Sequence, residues 1–362
     1  MADKNAKETI GVLLLNLGGP DSLQAVKPFL YNLFSDRQII KLGPEFLQKP
    51  IAWLISTTRH KKTEGFYSLI GGKSPILDIT NAQAKALEAA LNTRDEGRGT
   101  RDEIVRRLSE QSERSSIIPS ALHFKVCVGM RYWHPLIEEV IPEIHNAGIR
   151  KLIVLSLYPQ YSLATTGSSL SKFKEVASKY KMEAFCIESW FNHPLYIEAL
   201  VDVIRKGMDI FAESMEHRAK DMEPDIHILF SAHSLPQKFI DEGDPYVQQI
   251  KGTIEEIARR IEIKWHLSYQ SKSGPVKWLE PSTDEKLKEL AAKGVRNILV
   301  VPISFVSDHI ETLYEIDILY RQLAEELGLC LRRTESLNTR PVFIEAMRDI
   351  IMKNVKELNW IG

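Results

Sequence analysis

Ten histidines are spread over the 362 residues, and one of them stands where a base could act. The run SAHSLP places His233 just past Ile226–Ala232, an apolar stretch with the length and flanking turn signals of a buried strand. Imidazole accepts a proton near neutral pH, so a proton acceptor at a strand's carboxyl end is physically reasonable, although capping or core packing is the commoner task of a single histidine. A second constellation, SDHIETLYEIDILY, follows the apolar run Asn297–Ser304. Ser307 or Asp308 would cap a helix whose apolar stripe is Leu313, Ile316, Tyr320, Leu323 and Leu327. Asp308, Glu311 and Glu315, spaced by three and four, fall within about 60° of one another at ~100° per residue. A solvated helix face presents such a stripe too. With His309 beside it and a strand end beneath it, the track suits oxygen and imidazole ligands for a transient divalent cation, or a relay carrying protons outward.

Two glycine clusters do not carry nucleotide chemistry. GGKSP at Gly71–Pro75 resembles the end of a phosphate-binding loop, but that motif's first glycine would fall on Tyr67 and no strand precedes it. Gly18–Gly19–Pro20 lacks the G-x-G-x-x-G pattern and reads as a tight strand-to-helix turn. Between Pro28 and Tyr67, Phe29, Tyr31, Phe34, Phe46, Trp53 and Phe66 are either core or a greasy lip beside a cleft, the latter being useful to a flat, apolar ligand.

The elements that must position these groups alternate. Ile10–Asn16, Phe124–Val128, Lys151–Leu157, Ile226–Ala232 and Asn297–Ser304 read as buried strands separated by helical patterns, which implies parallel sheets covered on both faces. Gly129–Ser162 aligns without a gap on Pro275–Asp308, setting Arg131 on Lys277, Tyr132 on Trp278, Pro135 on Pro281 and Gly148 on Gly294. A second offset sets Ile10–Pro20 on Ile226–Pro236, with Leu17 opposite His233. The expectation is an α/β fold of two similar doubly wound, Rossmann-like halves with a cleft between them. Residues 1–178 with about 340–362 would form one half and 179–339 the other, the first carrying an exposed insertion at about 94–118.

Bulk properties narrow the partners. With 44% hydrophobic and 26% charged residues the chain is an ordinary globular protein, long enough for two domains. Forty-seven basic and forty-eight acidic side chains leave no field to draw it onto nucleic acid or an anionic membrane. The start has no signal-peptide pattern and no apolar run approaches ~20 residues, so the expected address is the cytoplasm, with peripheral contact at the inner face of the membrane left open. Cys127, Cys186 and Cys330 are dispersed and expected to be buried thiols; an iron–sulfur cluster normally takes four thiolates, so neither a cluster nor another tightly bound cofactor is expected. Nothing in the sequence speaks to oligomeric state.

Taken in order, LLLNLGGPDS, FYSLIGGKSPI, GMRYWHP, LYPQYS, SAHSLP, WLEPSTDE, VPISFVSDHIETLYEID and RRTESLN resemble the bacterial ferrochelatases from Gly11 to about Pro341; the insertion departs from the usual pattern. The resemblance implies insertion of Fe²⁺ into protoporphyrin IX with release of two protons, both being substrates. It implies that His233 removes pyrrole protons and that Glu311 partners it in handling metal or protons, with Asp308, His309 and Glu315 on a polar path beside them. It also implies that Leu17, Tyr67, Ser74, Arg131, Tyr132 and Trp278 line or support the porphyrin cleft. A coproporphyrin chelatase or another tetrapyrrole metal chelatase shares these features. A non-catalytic two-lobed tetrapyrrole-binding protein would explain the duplication but leave His233 and Glu311 without a task.

Overall fold

The computed structural model describes residues 8–93, 122–215, 225–272, 274 and 276–360; the segment expected as an insertion near 94–118 lies outside them. In the first half, β1 (Glu8–Asn16) and β3 (Lys151–Ser156) are the central strands of a parallel sheet ordered β2–β1–β3–β4, with β2 (Leu122–Met130) and β4 (Glu183–Ile187) at its edges. In the second, β5 (Ile226–His233) and β7 (Asn297–Pro302) occupy the same places in the order β6–β5–β7–β8, flanked by β6 (Lys264–Gln270) and β8 (Cys330–Arg333). The central strands are apolar because helices cover both faces, so no alternation survives in them.

The duplication reaches local detail. Helix α4 (Ile137–Asn146) and its counterpart α9 (Thr283–Ala292) both begin with a glutamate reaching back to the capping residue: Leu136 N–H donates to Glu139 at 2.7 Å and Ser282 N–H to Glu285 at 2.9 Å. Ahead of them, Met130 N–H donates to the Pro135 carbonyl and Tyr269 N–H to the Pro281 carbonyl. This corrects the alignment of the approach to these prolines. The second half has a longer loop there, so the strand-end counterpart of Arg131 is Gln270, not Lys277, and that of Tyr132 is Ser271, not Trp278. After β3 a short π-turn, Leu163–Gly167, opens α5 (Ser168–Ala177); after β7 a ten-residue π-helix, Glu311–Tyr320, runs into α10 (Arg321–Glu326).

β4 pairs with β3, so the first sheet extends to Ile187 and the change of sheet falls after it, not at 178–179. One apolar core joins the halves. It passes from Leu14 and Leu155 through Tyr196 and Leu200 of α6 (Pro194–Met215) and Phe343 and Ile350 of α11 (Pro341–Glu357) to Phe230 and Val301. Separate clusters cover the outer faces of the two sheets. Above the first sheet, α1 (Val26–Ser35) and α2 (Gln48–Ser68) form a hairpin on a small core of their own, and α3 (Ile76–Asn92) follows. No helix among the described residues is long and apolar enough to cross a membrane.

Candidate active site

His233 is the last residue of β5, held there by its own backbone. Its N–H donates to Ser304 Oγ at 2.9 Å, and its carbonyl accepts the Tyr246 hydroxyl at 3.0 Å. The ring meets the first residue of the π-helix, with His233 Nδ1 2.8 Å from Glu311 Oε2. About a third of the His233 side chain (32%) remains exposed against 13% for Glu311, so the pair has one buried and one open end. Ser271, just past β6 in a left-handed conformation (φ 67°), donates to Glu311 Oε2 at 2.7 Å and also lies 2.6 Å from Glu315 Oε2. Glu311 and Glu315 therefore meet on one hydroxyl. The long π-helix, a rare element frequent at functional sites, brings them there with wider turns than the α-helical spacing assumes.

The electrostatics follow from this crowding. Burial pushes the Glu311 carboxyl up, but the charge and hydrogen bond of His233, with His309 and Ser271, overcome it and hold Glu311 down at about 2. Burial would lower His233; Glu311 reverses the sign and raises it above 6.5. Glu315, buried and beside the charged Glu311, is pushed up to about 8. Burial likewise pushes His309 down, which favours its neutral form. Its Nδ1 lies 3.1 Å from the Ser307 carbonyl, while its Nε2 is buried without a hydrogen bond, 3.9 Å from Glu311 Oε1. Beyond Glu315 a cavity of about 490 Å³ opens, lined also by Ser271, Asp284, Lys288 and Tyr320.

Asp308 does not join the track. Its carboxylate accepts from Arg333 at 3.0 Å, Ser336 at 2.7 Å, Asn338 at 2.9 Å and Thr312 at 3.1 Å, fastening the start of the π-helix to the segment after β8. The expected three-carboxylate face thus reduces to two, because Asp308 precedes the helical turn and is claimed by a half-buried arginine.

The first half closes on this cluster. Leu17 lines a small cavity together with Tyr158, Phe305 and His309, so both halves contribute to one space. Tyr67 is buried, and its phenol is pushed well up by burial and by the charge of Glu311. Ser74 sits beneath the Gly18–Pro20 turn: its N–H donates to the Pro20 carbonyl at 2.8 Å, and a Cβ on Gly19 would lie 2.5 Å from its Oγ. Arg131 donates to Asp36 at 2.6 Å and Ser168 at 2.9 Å, and Tyr132 gives its hydroxyl to the same Asp36 oxygen at 2.7 Å. Their charge is balanced inside the protein, at the base of the helical hairpin. Trp278 is bridged through its backbone to Pro236, three residues after His233, and is only half buried.

The aromatic lip divides. Phe29 and Phe34 are buried in the hairpin's core, the first of the two alternatives, whereas Phe46 (77% exposed) and Trp53 (56%) face outward with Leu54, as a lip requires. Phe66 stacks on Tyr314 of the π-helix with ring centroids 4.3 Å apart, linking the hairpin to the second half. The cysteines are not the buried thiols expected: Cys330 is exposed, and Cys127 and Cys186 are half buried. Ser271, Gln270, Ser304, Tyr158 and Asp36 escaped the sequence reading. Gln270 ends, and Ser271 follows, an edge strand, KWHLSYQ, too polar to read as one; only its equivalence to β2 marks it.

Two like α/β halves, with an imidazole–carboxylate pair at the strand ends of one and a small cavity lined by both, define a two-lobed enzyme of the metal chelatase class. The chain belongs to the ferrochelatase family, whose model matches residues 9–355. It is 48% identical over 350 residues to the ferrochelatase of Geobacter metallireducens, covering 96% of this chain and 98% of that one. It is 46% identical over 352 residues to that of Geotalea uraniireducens, with the same coverage. The Synechocystis ferrochelatase is 43% identical over 357 residues, covering 96% of this chain and 83% of the relative. The activity is that of a ferrochelatase, acting on a porphyrin and ferrous iron as substrates.

Proposed function

We propose that the porphyrin is protoporphyrin IX, and that His233 is the base that takes its pyrrole protons while Glu311 holds and charges the imidazole. The observation that carries this is the 2.8 Å contact of His233 Nδ1 with Glu311 Oε2 at the boundary of the two halves. A carboxylate on Nδ1 fixes that nitrogen as the protonated one, leaves Nε2 to accept, and stabilises the imidazolium that forms. Metalation must remove two protons from a planar ring whose nitrogen lone pairs are poorly exposed. Walls contributed by both halves, Leu17 and Phe305 among them, can bend the ring by binding its apolar parts and so bring the lone pairs forward. Neutral Glu315 and Ser271 then lie between Glu311 and the outer cavity, on a route for protons to solvent. Tyr67, Ser74, Arg131, Tyr132 and Trp278 support the walls, and buried His309 completes the polar path.

The outward-facing Phe46, Trp53 and Leu54 support peripheral attachment to a membrane surface from which an apolar substrate would arrive. The test of the reading is anaerobic incubation with Fe²⁺ and either protoporphyrin IX or coproporphyrin, followed by absorbance. Metalation of protoporphyrin at the higher kcat/KM is expected, and preference for coproporphyrin would overturn the substrate assignment. His233→Ala should keep porphyrin binding and lose most metalation; near-native turnover would remove His233 from its role.

A further inference from the structure

At the end of the molecule where the cleft opens, one side chain fastens the halves together. Asp244 lies between α7 (Gln237–Asp241) and α8 (Tyr246–Ala258) of the second half and is 6% exposed. Its Oδ2 accepts from the Ser162 hydroxyl at 2.9 Å and the Leu163 N–H at 2.7 Å, both at the start of the π-turn that follows β3 in the first half. Its Oδ1 accepts the Tyr246 N–H at 3.0 Å, and the Tyr246 hydroxyl donates to the carbonyl of His233. A continuous path of hydrogen bonds thus runs from a first-half turn through Asp244 to the backbone of the proposed base. Next to it, Gln249 accepts from Tyr161 N–H at 2.7 Å and Gln160 donates to Thr253 at 3.2 Å, extending the seam.

The orphan N–H groups at a helix start are ordinarily served by a side chain of the same segment. Here Ser162 Oγ accepts the Ala164 N–H at 3.2 Å in that way, and a carboxylate from the other half takes the Leu163 N–H and the Ser162 hydroxyl besides. Interfaces between domains yield by default unless large and apolar. The shared core runs through the body of the molecule, but the seam lies beyond the carboxyl ends of β3 and β5, beside the cleft. A wall that bends a stiff macrocycle is pushed outward by it, and a wall that gives way lets the ring relax.

We propose that Asp244 is a positioning residue for metalation, locking the first-half turn to the loop behind His233 so that the two walls keep the separation that bends the porphyrin. This rests on the reading that metalation occurs between the halves. In Asp244→Asn an acceptor oxygen becomes a donor, or the amide turns its donor toward Tyr246; Ser162→Ala and Tyr246→Phe each remove one bond of the path. Three readouts apply to the intact protein: kcat and KM for protoporphyrin, the out-of-plane resonance Raman bands of bound porphyrin, and hydrogen exchange at the Leu163 amide. For Asp244→Asn, kcat should fall roughly tenfold, as for one lost charge-assisted hydrogen bond, with KM changed far less. The out-of-plane bands should weaken and Leu163 should exchange faster. Leu290→Ala, a core truncation beneath the second sheet, should lower stability without moving the Raman bands. Native kcat and native out-of-plane bands in Asp244→Asn would overturn the proposal. Should that variant not fold, native kcat in both Ser162→Ala and Tyr246→Phe would overturn it equally. A native protein that does not metalate at all would instead sink the underlying functional reading.

Discussion

Replacing Glu311 by glutamine removes a charge from the site while keeping nearly the same volume and a hydrogen-bonding oxygen. The native carboxylate accepts from His233 and Ser271, and these partners hold it down at about 2 against an ordinary 4.5 in spite of its burial. A depressed carboxyl stabilises the fold above about pH 4.5, and that contribution is lost as the pH falls toward 2. On the histidine side the sign is opposite. Burial lowers His233 and Glu311 more than restores it, so in the Glu311→Gln variant only Glu315 opposes the burial, and the imidazole should titrate lower. A base acts when neutral, so native kcat/KM should fall as the pH drops through a value above 6.5, and the variant's acid limb should lie below the native one. At neutral pH the imidazolium formed during proton removal loses a charged hydrogen bond worth ~1.5–3 kcal/mol, hence roughly ten- to a hundredfold in kcat. Porphyrin affinity, carried by apolar walls, should change much less. Anaerobic single-turnover absorbance gives the rate and fluorescence quenching the affinity. A variant with most of the native rate, or with an unmoved acid limb, would refute the argument, as would Glu315→Gln being harmful while Glu311→Gln is silent.

Asp308→Asn should cost about 1–3 kcal/mol of stability, because it weakens a half-buried network with Arg333, while leaving kcat near native; thermal unfolding and turnover separate the two, and a large loss of kcat alone would return Asp308 to the proton path. Gly19→Ala forces a Cβ onto Ser74 and should cost about 1–3 kcal/mol and weaken porphyrin binding, as measured by unfolding and quenching; a silent substitution would mean the turn gives way freely. The pair Phe46→Ser and Trp53→Ser should reduce sedimentation with lipid vesicles and raise KM for protoporphyrin, whereas Phe29→Ser, being in the hairpin core, should mainly destabilise. Because that attachment is apolar, it should persist at 1 M salt, where the screening length is about 3 Å; release by salt would show it to be electrostatic.

Much of this enzyme is legible from its residues. Apolar runs long enough to be buried on both faces marked the central strands, and the match of Gly129–Ser162 to Pro275–Asp308 exposed the duplication, because helix-covered strands and helix stops leave strong local signals. A histidine at the end of such a strand, and glutamates at the start of the helix after its neighbour, are likewise consequences of parallel topology, which gathers strand ends at one edge. Edge strands were harder. β4, β6 and β8 are half exposed and carry charges, so their pattern is weak, and with β6 went Ser271 and Gln270. What only the tertiary structure decided is how neighbours at long range share out the polar groups. Helical spacing treated Asp308, Glu311 and Glu315 alike. Arg333, contributed by β8, claimed the first, whereas Ser271, just past β6, and His233, at the end of β5, gathered the other two. The same holds for Phe29 against Phe46, alike in composition but separated by which face the hairpin turned to its core. Local sequence sets which groups can act, but burial and partners arrive from segments far away in the chain, and these determine charge, protonation and exposure.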